Sequence, residues 1–325
     1  MRVGVIGVGS MGQNHVRVLS EISQLIGIAD PNVQVGAAVS NRFSTSYFID
    51  YRDLLKEKPE AVVIAAPTYL HYEIVNAALE AGTHVLVEKP MCSAINEAEK
   101  LVMKAKELGL VLAVGHIERY NVIVGFAKRA LDNGEYGQLI TASARRVSSL
   151  PARVKDVGVI MDLGIHDIDI LRYLIGSPVE SVYTIGGRER HESFEDHANI
   201  LMKFKNGVNG FIEVNWLTPM KVRKLALTCL KNFVELDYTA QALTISSSTL
   251  MQFDPFNLYQ VPFEYDIRQV SLQKKEPLKL ELEDFINAIK EKRDPLVTGK
   301  DALETLKVVE AAILSQKDGK VVNLN

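Results

Sequence analysis

Val3-Gly4-Val5-Ile6-Gly7-Val8-Gly9-Ser10-Met11-Gly12 decides the fold of the amino-terminal half, because it places G-x-G-x-x-G between an apolar run and a helical segment. In this context Gly7 forms a tight turn, Gly9 lets the main chain approach a pyrophosphate, and Gly12 allows close helix–strand packing. Ser10 and Met11 open the helix, whose amino end offers free N–H groups and a positive dipole end to phosphate. The stretch therefore predicts a dinucleotide-binding turn; the alternative is a flexible glycine loop.

The second apolar run ends in Ile28-Ala29-Asp30, with Asp30 18 residues after Gly12. An acidic residue about 20 residues after the glycine motif is expected to bind the ribose of the dinucleotide. Asp30 would equally serve as the N-cap of a helix beginning at Pro31, and both roles stay open. Because a carboxylate accepts hydrogen bonds from a 2′-hydroxyl and repels a 2′-phosphate, we expect NAD rather than NADP as the cofactor.

The first 115 residues alternate strand-length apolar runs with helical segments. The runs lie at 2–6, 25–29, 61–66, 84–87 and 110–114, and the helical segments at 13–21, 31–39, 69–81 and 94–108. Unbroken apolar runs are typical of strands that are buried on both faces of a parallel sheet. The alternation predicts right-handed βαβ units and hence an α/β, doubly wound Rossmann sheet.

After Arg119 the pattern changes to strand-like segments with hairpin turns, such as the one at Asn206-Gly207. These segments lie at 139–147, 179–185, 198–204, 210–215, 225–229 and 233–238, and helices are predicted at 122–131, 163–175, 279–291 and 302–315. This half predicts an α+β domain with a largely antiparallel, open-faced sheet and helices on one face. We therefore expect an NAD-binding domain at 1–118 and a substrate-binding and oligomerisation domain at 119–325.

Composition narrows the class of protein. The 325 residues are 47% hydrophobic and 24% charged, which is ordinary for a globular chain of about two domains. No apolar run approaches the ~18 residues of a membrane helix, and the glycine-rich start lacks a signal-peptide core. A net charge of −3 argues against nucleic-acid or membrane binding. Two widely spaced cysteines and scattered histidines predict a cytoplasmic protein without a metal site.

Glu88-Lys89-Pro90 follows the apolar run 84–87. Open α/β sheets bind ligands beyond the carboxyl ends of their strands, so Lys89 is a candidate catalytic residue. Pro90 also restricts the main-chain conformation of Lys89. The alternative is a solvated loop lysine.

A second cluster places Asp162, His166 and Asp169 on one face of a helix, while Asp167 points elsewhere. A carboxylate one turn from a histidine orients the ring and raises its basicity. The alternative is a helix-capping aspartate beside a partly buried histidine.

These motifs occur in the order that is found in the Gfo/Idh/MocA oxidoreductases, and the chain resembles that family over nearly its whole length. The resemblance implies an NAD(P)-dependent sugar dehydrogenase with catalytic Lys89, His166 and Asp162. It also implies a cofactor site that includes Ala66, Pro67, Thr68, His71, Glu88 and Lys89. Because an unperturbed imidazole pKa of ~6.5 suits neutral pH, His166 is assigned as the base, and the reverse assignment to Lys89 stays open.

Within the family, the stretches 115–121, 144–147 and 215–219 are similar to nucleotide-sugar 3-dehydrogenases. This similarity implies oxidation of the 3-hydroxyl of UDP-N-acetylglucosamine or a related sugar, with Tyr120, Asn121 and His166 near the substrate. Val122 and the turn at 229–232 depart from the family pattern.

A nucleotide sugar needs positive charge, which four residues supply: Arg145, Arg146, Arg153 and Lys155. Because adjacent strand residues face opposite sides, only one of Arg145 and Arg146 can face the substrate, and Arg145 is the candidate. A solvated sheet edge or an oligomer contact would also explain this charge.

Two other functions stay open: an inositol or free-monosaccharide dehydrogenase, and a non-catalytic NAD-binding sensor. In line with the family, we expect a homodimer or homotetramer formed through the open sheet.

Overall fold

The structure is a computed structural model that describes residues 1–150, 157–250 and 263–324. It consists of two compact units. The first comprises Met1–Tyr120 and Lys275–Lys307, and the second comprises Asn121–Lys274 and Val308–Asn325. Among the residues described, no helix is both long enough and apolar enough to cross a bilayer.

The first unit is built on a parallel sheet with the strand order β3-β2-β1-β4-β5-β6. Its strands are β1 (Arg2–Ile6), β2 (Gln24–Ala29), β3 (Ser46–Phe48), β4 (Ala61–Ile64), β5 (His84–Glu88) and β6 (Leu112–Gly115). The central strand β4 is buried along its whole length, which explains its unbroken apolar sequence. The strand order reverses between β1 and β4, so a ligand crevice is expected beyond their carboxyl ends.

Helices connect these strands: α1 (Ser10–Ile22), α2 (Val33–Phe43), α3 (Tyr51–Lys56), α4 (Thr68–Glu80) and α5 (Ile95–Leu108). Asn32 caps α2 by accepting a hydrogen bond from the Val35 N–H at 3.2 Å. Gly109 ends α5 in the left-handed conformation at φ +65°. A 3₁₀ turn, Ile117–Tyr120, ends the continuous part of the unit.

In the second unit, the described strands form a sheet in the order β14-β13-β12-β11-β7-β10-β9-β8-β15. They are β7 (Leu139–Ser149), β8 (Val179–Gly187), β9 (His197–Phe204), β10 (Asn209–Asn215), β11 (Leu217–Cys229), β12 (Phe233–Asp237), β13 (Ala242–Leu250), β14 (Phe263–Ser271) and β15 (Val322–Asn323). Burial alternates along β9 and β10, so one face of the sheet is exposed. Two helices, α6 (Val122–Asp132) and α7 (Ile165–Ile175), contribute to the apolar core on the other face.

The last two helices are α8 (Pro277–Glu291) and α9 (Gly299–Asp318). From the sequence, residues 275–307 are expected to belong to the second domain. In the structure these residues group with the first unit. The reason is packing: Leu282 and Phe285 of α8 lie in one core cluster with Val16 and Leu19 of α1. The predicted combination of an α/β Rossmann sheet with a largely antiparallel α+β sheet is confirmed.

Candidate active site

The glycine turn after β1 has the geometry that a pyrophosphate site needs. Gly7 adopts φ +85°, and a Cβ there would lie 2.7 Å from the main chain at Ala65. A Cβ on Gly12 would lie 1.9 Å from the Gly7 carbonyl oxygen, so only glycine fits this helix–strand contact. In contrast, a Cβ on Gly9 would meet no described atom within 4 Å. Space for a ligand is therefore kept open at Gly9.

A cleft of about 840 Å³ lies beside this turn. Its lining includes five of the predicted cofactor residues: Gly7, Gly9, Asp30, Ala66 and Pro67. The other predicted residues of the turn, Ser10 and Met11, form the first turn of α1, which contains no acidic side chain. Such a helix start suits a phosphate group. The residues present therefore fit a dinucleotide.

Asp30 is bound to the glycine turn. Its Oδ2 accepts a hydrogen bond from the Val8 N–H and its Oδ1 one from the Asn32 N–H, both at 2.8 Å. The N-cap of α2 is Asn32, so the helix-capping role considered for Asp30 is wrong. Each carboxylate oxygen keeps a second lone pair, which can accept from a ribose hydroxyl.

Glu88 lies at the end of β5 and directs its carboxylate into the protein. Oε1 lies 2.8 Å from Nε2 of His15 in α1, and Oε2 accepts the Lys89 N–H at 3.2 Å. Burial raises the pKa of Glu88, but hydrogen bonding and charge from His15 and Lys89 outweigh it, so this pKa lies below its usual value. Glu88 is therefore placed to support the Lys89 turn from within.

His71 is likewise buried, at 1% exposure. Its Nε2 lies 2.8 Å from the Ala66 carbonyl oxygen and its Nδ1 lies 2.9 Å from the Pro90 carbonyl oxygen. Burial lowers the pKa of His71 although both carbonyls favour the protonated ring. Both ring nitrogens thus face main-chain groups. Thr68 begins α4, immediately after the cleft residue Pro67.

In the second unit, Asp162 and His166 occupy consecutive helical segments. Asp162 is buried within a π-helical turn, Ile160–Gly164, and the half-buried His166 lies in the first turn of α7. The predicted single helix therefore contains a π turn, a feature frequent at functional sites. Asp167 points away as predicted and binds Arg146.

Glu195, which the sequence analysis did not single out, holds the start of this π turn. Its Oε1 accepts the Ile160 N–H at 3.1 Å and its carbonyl oxygen accepts the Val159 N–H at 3.0 Å. A Cβ on Gly158 would lie about 2 Å from the Glu195 carboxylate, so a larger residue at 158 would displace this carboxylate. Burial raises the pKa of Glu195.

The predicted substrate contact Arg145 lies on the exposed sheet face, where its Nε pairs with Glu213 at 2.9 Å. The opposite face carries Arg146, whose guanidinium makes two hydrogen bonds to Asp167 of α7. The structure therefore does not bring Arg145 together with His166, which lies in α7. The other two basic candidates, at positions 153 and 155, lie outside the described residues.

The two remaining substrate candidates are buried and bonded within their own units. The Tyr120 hydroxyl donates to Asp284 at 2.9 Å, and burial raises the pKa of Tyr120. The Asn121 amide nitrogen donates to the Tyr238 carbonyl oxygen at 3.2 Å. Both side chains thus serve internal contacts. Among the residues described, no group of three or more metal-ligating side chains is present.

Three family models match the chain. The model of the oxidoreductase family with the NAD-binding Rossmann fold covers residues 1–116. The GFO/IDH/MocA C-terminal domain covers residues 125–234, and the C-terminal alpha/beta domain of the oxidoreductase family covers residues 244–324.

Curated relatives extend over the same length. A UDP-N-acetylglucosamine 3-dehydrogenase of Acidithiobacillus ferrooxidans is 32% identical over 291 residues, which is 89% of this chain and 88% of that protein. A scyllo-inositol 2-dehydrogenase (NAD(+)) of Bacillus subtilis is 27% identical over 341 residues, covering 100% of this chain and 96% of that protein.

Solved structures agree with these relatives. A structure of the Acidithiobacillus ferrooxidans UDP-N-acetylglucosamine 3-dehydrogenase superposes with a TM-score of 0.86 at 30% identity, and covers 98% of both chains. The matched models span the glycine turn, Lys89 and the helix of His166. The chain therefore belongs to the Gfo/Idh/MocA family of NAD-binding oxidoreductases, and its residues 1–116 form the Rossmann domain of that family.

Proposed function

We propose that the protein oxidises the 3-hydroxyl of UDP-N-acetylglucosamine, or of a closely related nucleotide sugar, with NAD as hydride acceptor. The main support for this substrate is the 32% identity, over 89% of the chain, to a UDP-N-acetylglucosamine 3-dehydrogenase. That similarity is continuous through both units, and the fold agrees at a TM-score of 0.86. The inositol dehydrogenases are the second candidates, because one of them aligns with 100% of the chain at 27% identity.

Asp30 supports NAD as the preferred cofactor. Its carboxylate lines the cleft and is held by the Val8 N–H, directly between the first two motif glycines. A negative charge fixed at this place accepts from a ribose hydroxyl and repels a 2′-phosphate. The roles of Gly7, Gly9 and the first turn of α1 in holding the pyrophosphate belong to the same proposal.

Bound NAD supplies the hydride acceptor, and proton transfer and charge stabilisation are left to the protein. We assign His166 as the base that accepts the hydroxyl proton, and Asp162 as the group that orients its ring. The Lys89 ammonium stabilises the alkoxide that develops as the proton leaves. The reverse assignment, with Lys89 as the base and His166 stabilising the alkoxide, is the alternative.

NADH formation by the purified protein tests the proposal. The substrates are UDP-N-acetylglucosamine, UDP-glucose, myo-inositol, scyllo-inositol and glucose. We expect turnover of UDP-N-acetylglucosamine, and a loss of about 10²-fold or more in kcat for Lys89→Met and for His166→Asn. Lys106→Met, at an exposed lysine of α5, is the matched control.

Three results would change the assignment. Turnover of inositols without turnover of nucleotide sugars would replace the substrate. NAD binding without NADH formation on any substrate would indicate the non-catalytic sensor. Near-normal turnover in either variant would remove that residue from the mechanism.

We also propose a cytoplasmic homodimer or homotetramer that forms through the exposed sheet face. Phe211 and Leu201 are paired across β10 and β9, and are 39% and 50% exposed. Apolar side chains at the centre of an open sheet favour association. Light scattering should give a multimer, and Phe211→Glu should reduce it to a monomer.

A further inference from the structure

His15 is a buried histidine that the proposed mechanism does not use. It lies in α1, three residues after Gly12, and its side chain is fully buried. Its Nε2 lies 2.8 Å from Glu88 Oε1, so Nε2 carries the proton that is donated to the carboxylate. His15 therefore joins the helix that begins at the pyrophosphate turn to the end of β5.

Glu88 connects His15 to the main chain of Lys89. Its second carboxylate oxygen accepts the Lys89 N–H at 3.2 Å. The carboxylate lies against Gly115 of β6, where a Cβ would come within 3.1 Å of Oε2. A hydrogen bond from His15 thus fixes a carboxylate that in turn holds the main chain of Lys89.

The other side of Lys89 is held by a second buried histidine. His71 faces the Pro90 carbonyl oxygen at 2.9 Å and the Ala66 carbonyl oxygen at 2.8 Å. Lys89 thus lies between two main-chain anchors, one through Glu88 and one through Pro90. The anchor through Glu88 uses a buried, charged carboxylate. Burying a charge is costly unless the charged group is hydrogen-bonded, so this carboxylate needs a hydrogen-bond donor.

Glu281 of α8 is a second buried acid and can be compared with Glu88. It is 1% exposed, and neither of its carboxyl oxygens has a hydrogen-bond partner among the described residues. Burial and the charge of Glu88 raise the pKa of Glu281 well above its usual value, so Glu281 is the neutral member of the two buried acids. His15 contacts Glu88, whereas no described group donates a hydrogen bond to Glu281.

We propose that His15 is a positioning residue for Lys89, acting through Glu88 to align the Lys89 main chain with the helix that binds the cofactor pyrophosphate. The proposal rests on the proposed function for the catalytic role of Lys89. It assigns Glu88 and His71 to support of the Lys89 turn rather than to direct cofactor contact. Because alignment of reacting groups governs rate, its loss is felt in kcat.

His15→Leu and His15→Gln form the test, because a glutamine amide can replace the Nε2 donor and leucine cannot. We expect His15→Leu to lower kcat by about 10- to 100-fold while the NAD dissociation constant and the sugar KM change far less. His15→Gln should restore most of the lost kcat. The control is His84→Leu, which removes a half-buried acceptor of the Val111 N–H at the opposite end of the same strand.

Hydrogen exchange gives a readout that needs no substrate. In His15→Leu the Lys89 amide should exchange faster relative to the Val87 amide of β5, and His15→Gln should return it to the wild-type rate. Unchanged exchange at Lys89, or a loss of NAD affinity with kcat unchanged, would overturn the positioning role. If wild-type protein oxidises no sugar, the proposed function fails, and the exchange experiment still decides the structural link.

Discussion

Replacing either of two adjacent arginines of β7 should have very different effects on stability. Arg146 is 1% exposed, and its Nε and Nη2 bind Asp167 at 2.8 and 3.1 Å. The Tyr238 ring lies 5.3 Å from its guanidinium carbon. Arg145 is 56% exposed in its side chain and pairs with Glu213 at the surface. The two ion pairs thus share a strand and differ in burial.

The expected magnitudes follow from that difference. Arg146→Met removes the Arg146 charge from the buried Asp167 carboxylate, which costs about 3–5 kcal/mol. Arg145→Met removes an exposed pair that is worth about 0–1 kcal/mol. For a unit of this size the buried change lowers the melting temperature by about 6–20 °C. The double variant Arg146→Met/Asp167→Leu should recover most of the loss, because it leaves no lone buried charge.

Urea unfolding followed by tryptophan fluorescence measures these effects. The chain has a single tryptophan, Trp216, which is buried in the core of the second unit and reports on that unit alone. Equal costs for Arg146→Met and Arg145→Met would refute the argument from burial. A double variant as unstable as Arg146→Met would show that the arginine contributes packing rather than charge balance.

Three further predictions concern the first unit. Gly12→Ala should abolish NAD binding and lower the melting temperature, because the alanine Cβ would meet the Gly7 carbonyl. Gly9→Ala should weaken NAD binding and leave the melting temperature unchanged, because the space at Gly9 is open. A folding defect in Gly9→Ala would contradict this prediction. Asp30→Ser should shift the NADP:NAD ratio of kcat/KM towards NADP by about tenfold or more, and an unchanged ratio would remove Asp30 from cofactor discrimination. Because the folded pKa of Glu281 is raised, this group takes up a proton on folding, and its contribution to wild-type stability falls as pH rises above about 4.5. Glu281→Leu should therefore gain stability over wild type between about pH 4.5 and 7 in urea unfolding, and a pH-independent difference would contradict the buried acid.

Local pattern was sufficient for the Rossmann sheet and the glycine turn. The turn is encoded by consecutive residues whose conformational needs are met by glycine alone, as the φ of Gly7 and the contact of Gly12 show. The short elements β3 and α3 escaped prediction because three and six residues carry too little periodicity. The membership of α8 in the first unit depends on packing against α1, which lies near the other end of the chain, and no local pattern reports it.

Which side of the sheet Arg145 faces is a separate question. Period-two alternation predicts that Arg145 and Arg146 face opposite sides, and this is correct, but alternation alone does not say which side is the core. The neighbouring residues of β7 indicate which side is the core. Ala142 and Ala144 are apolar and share the parity of Arg146, whereas Ser143 shares that of Arg145. Apolar parity therefore places Arg146 inside and predicts a buried acidic partner for it.

Glu88 and His71 show the difference between lining a site and supporting it. A motif places both beside the cofactor, and both do lie next to residues of the Lys89 turn. Their polar atoms, however, bind His15 or main-chain groups inside the unit. Position in a motif constrains where a residue lies, whereas its hydrogen-bond partners decide what it does. If Lys89 has the catalytic role proposed above, a variant at either position should alter kcat more than the affinity for NAD.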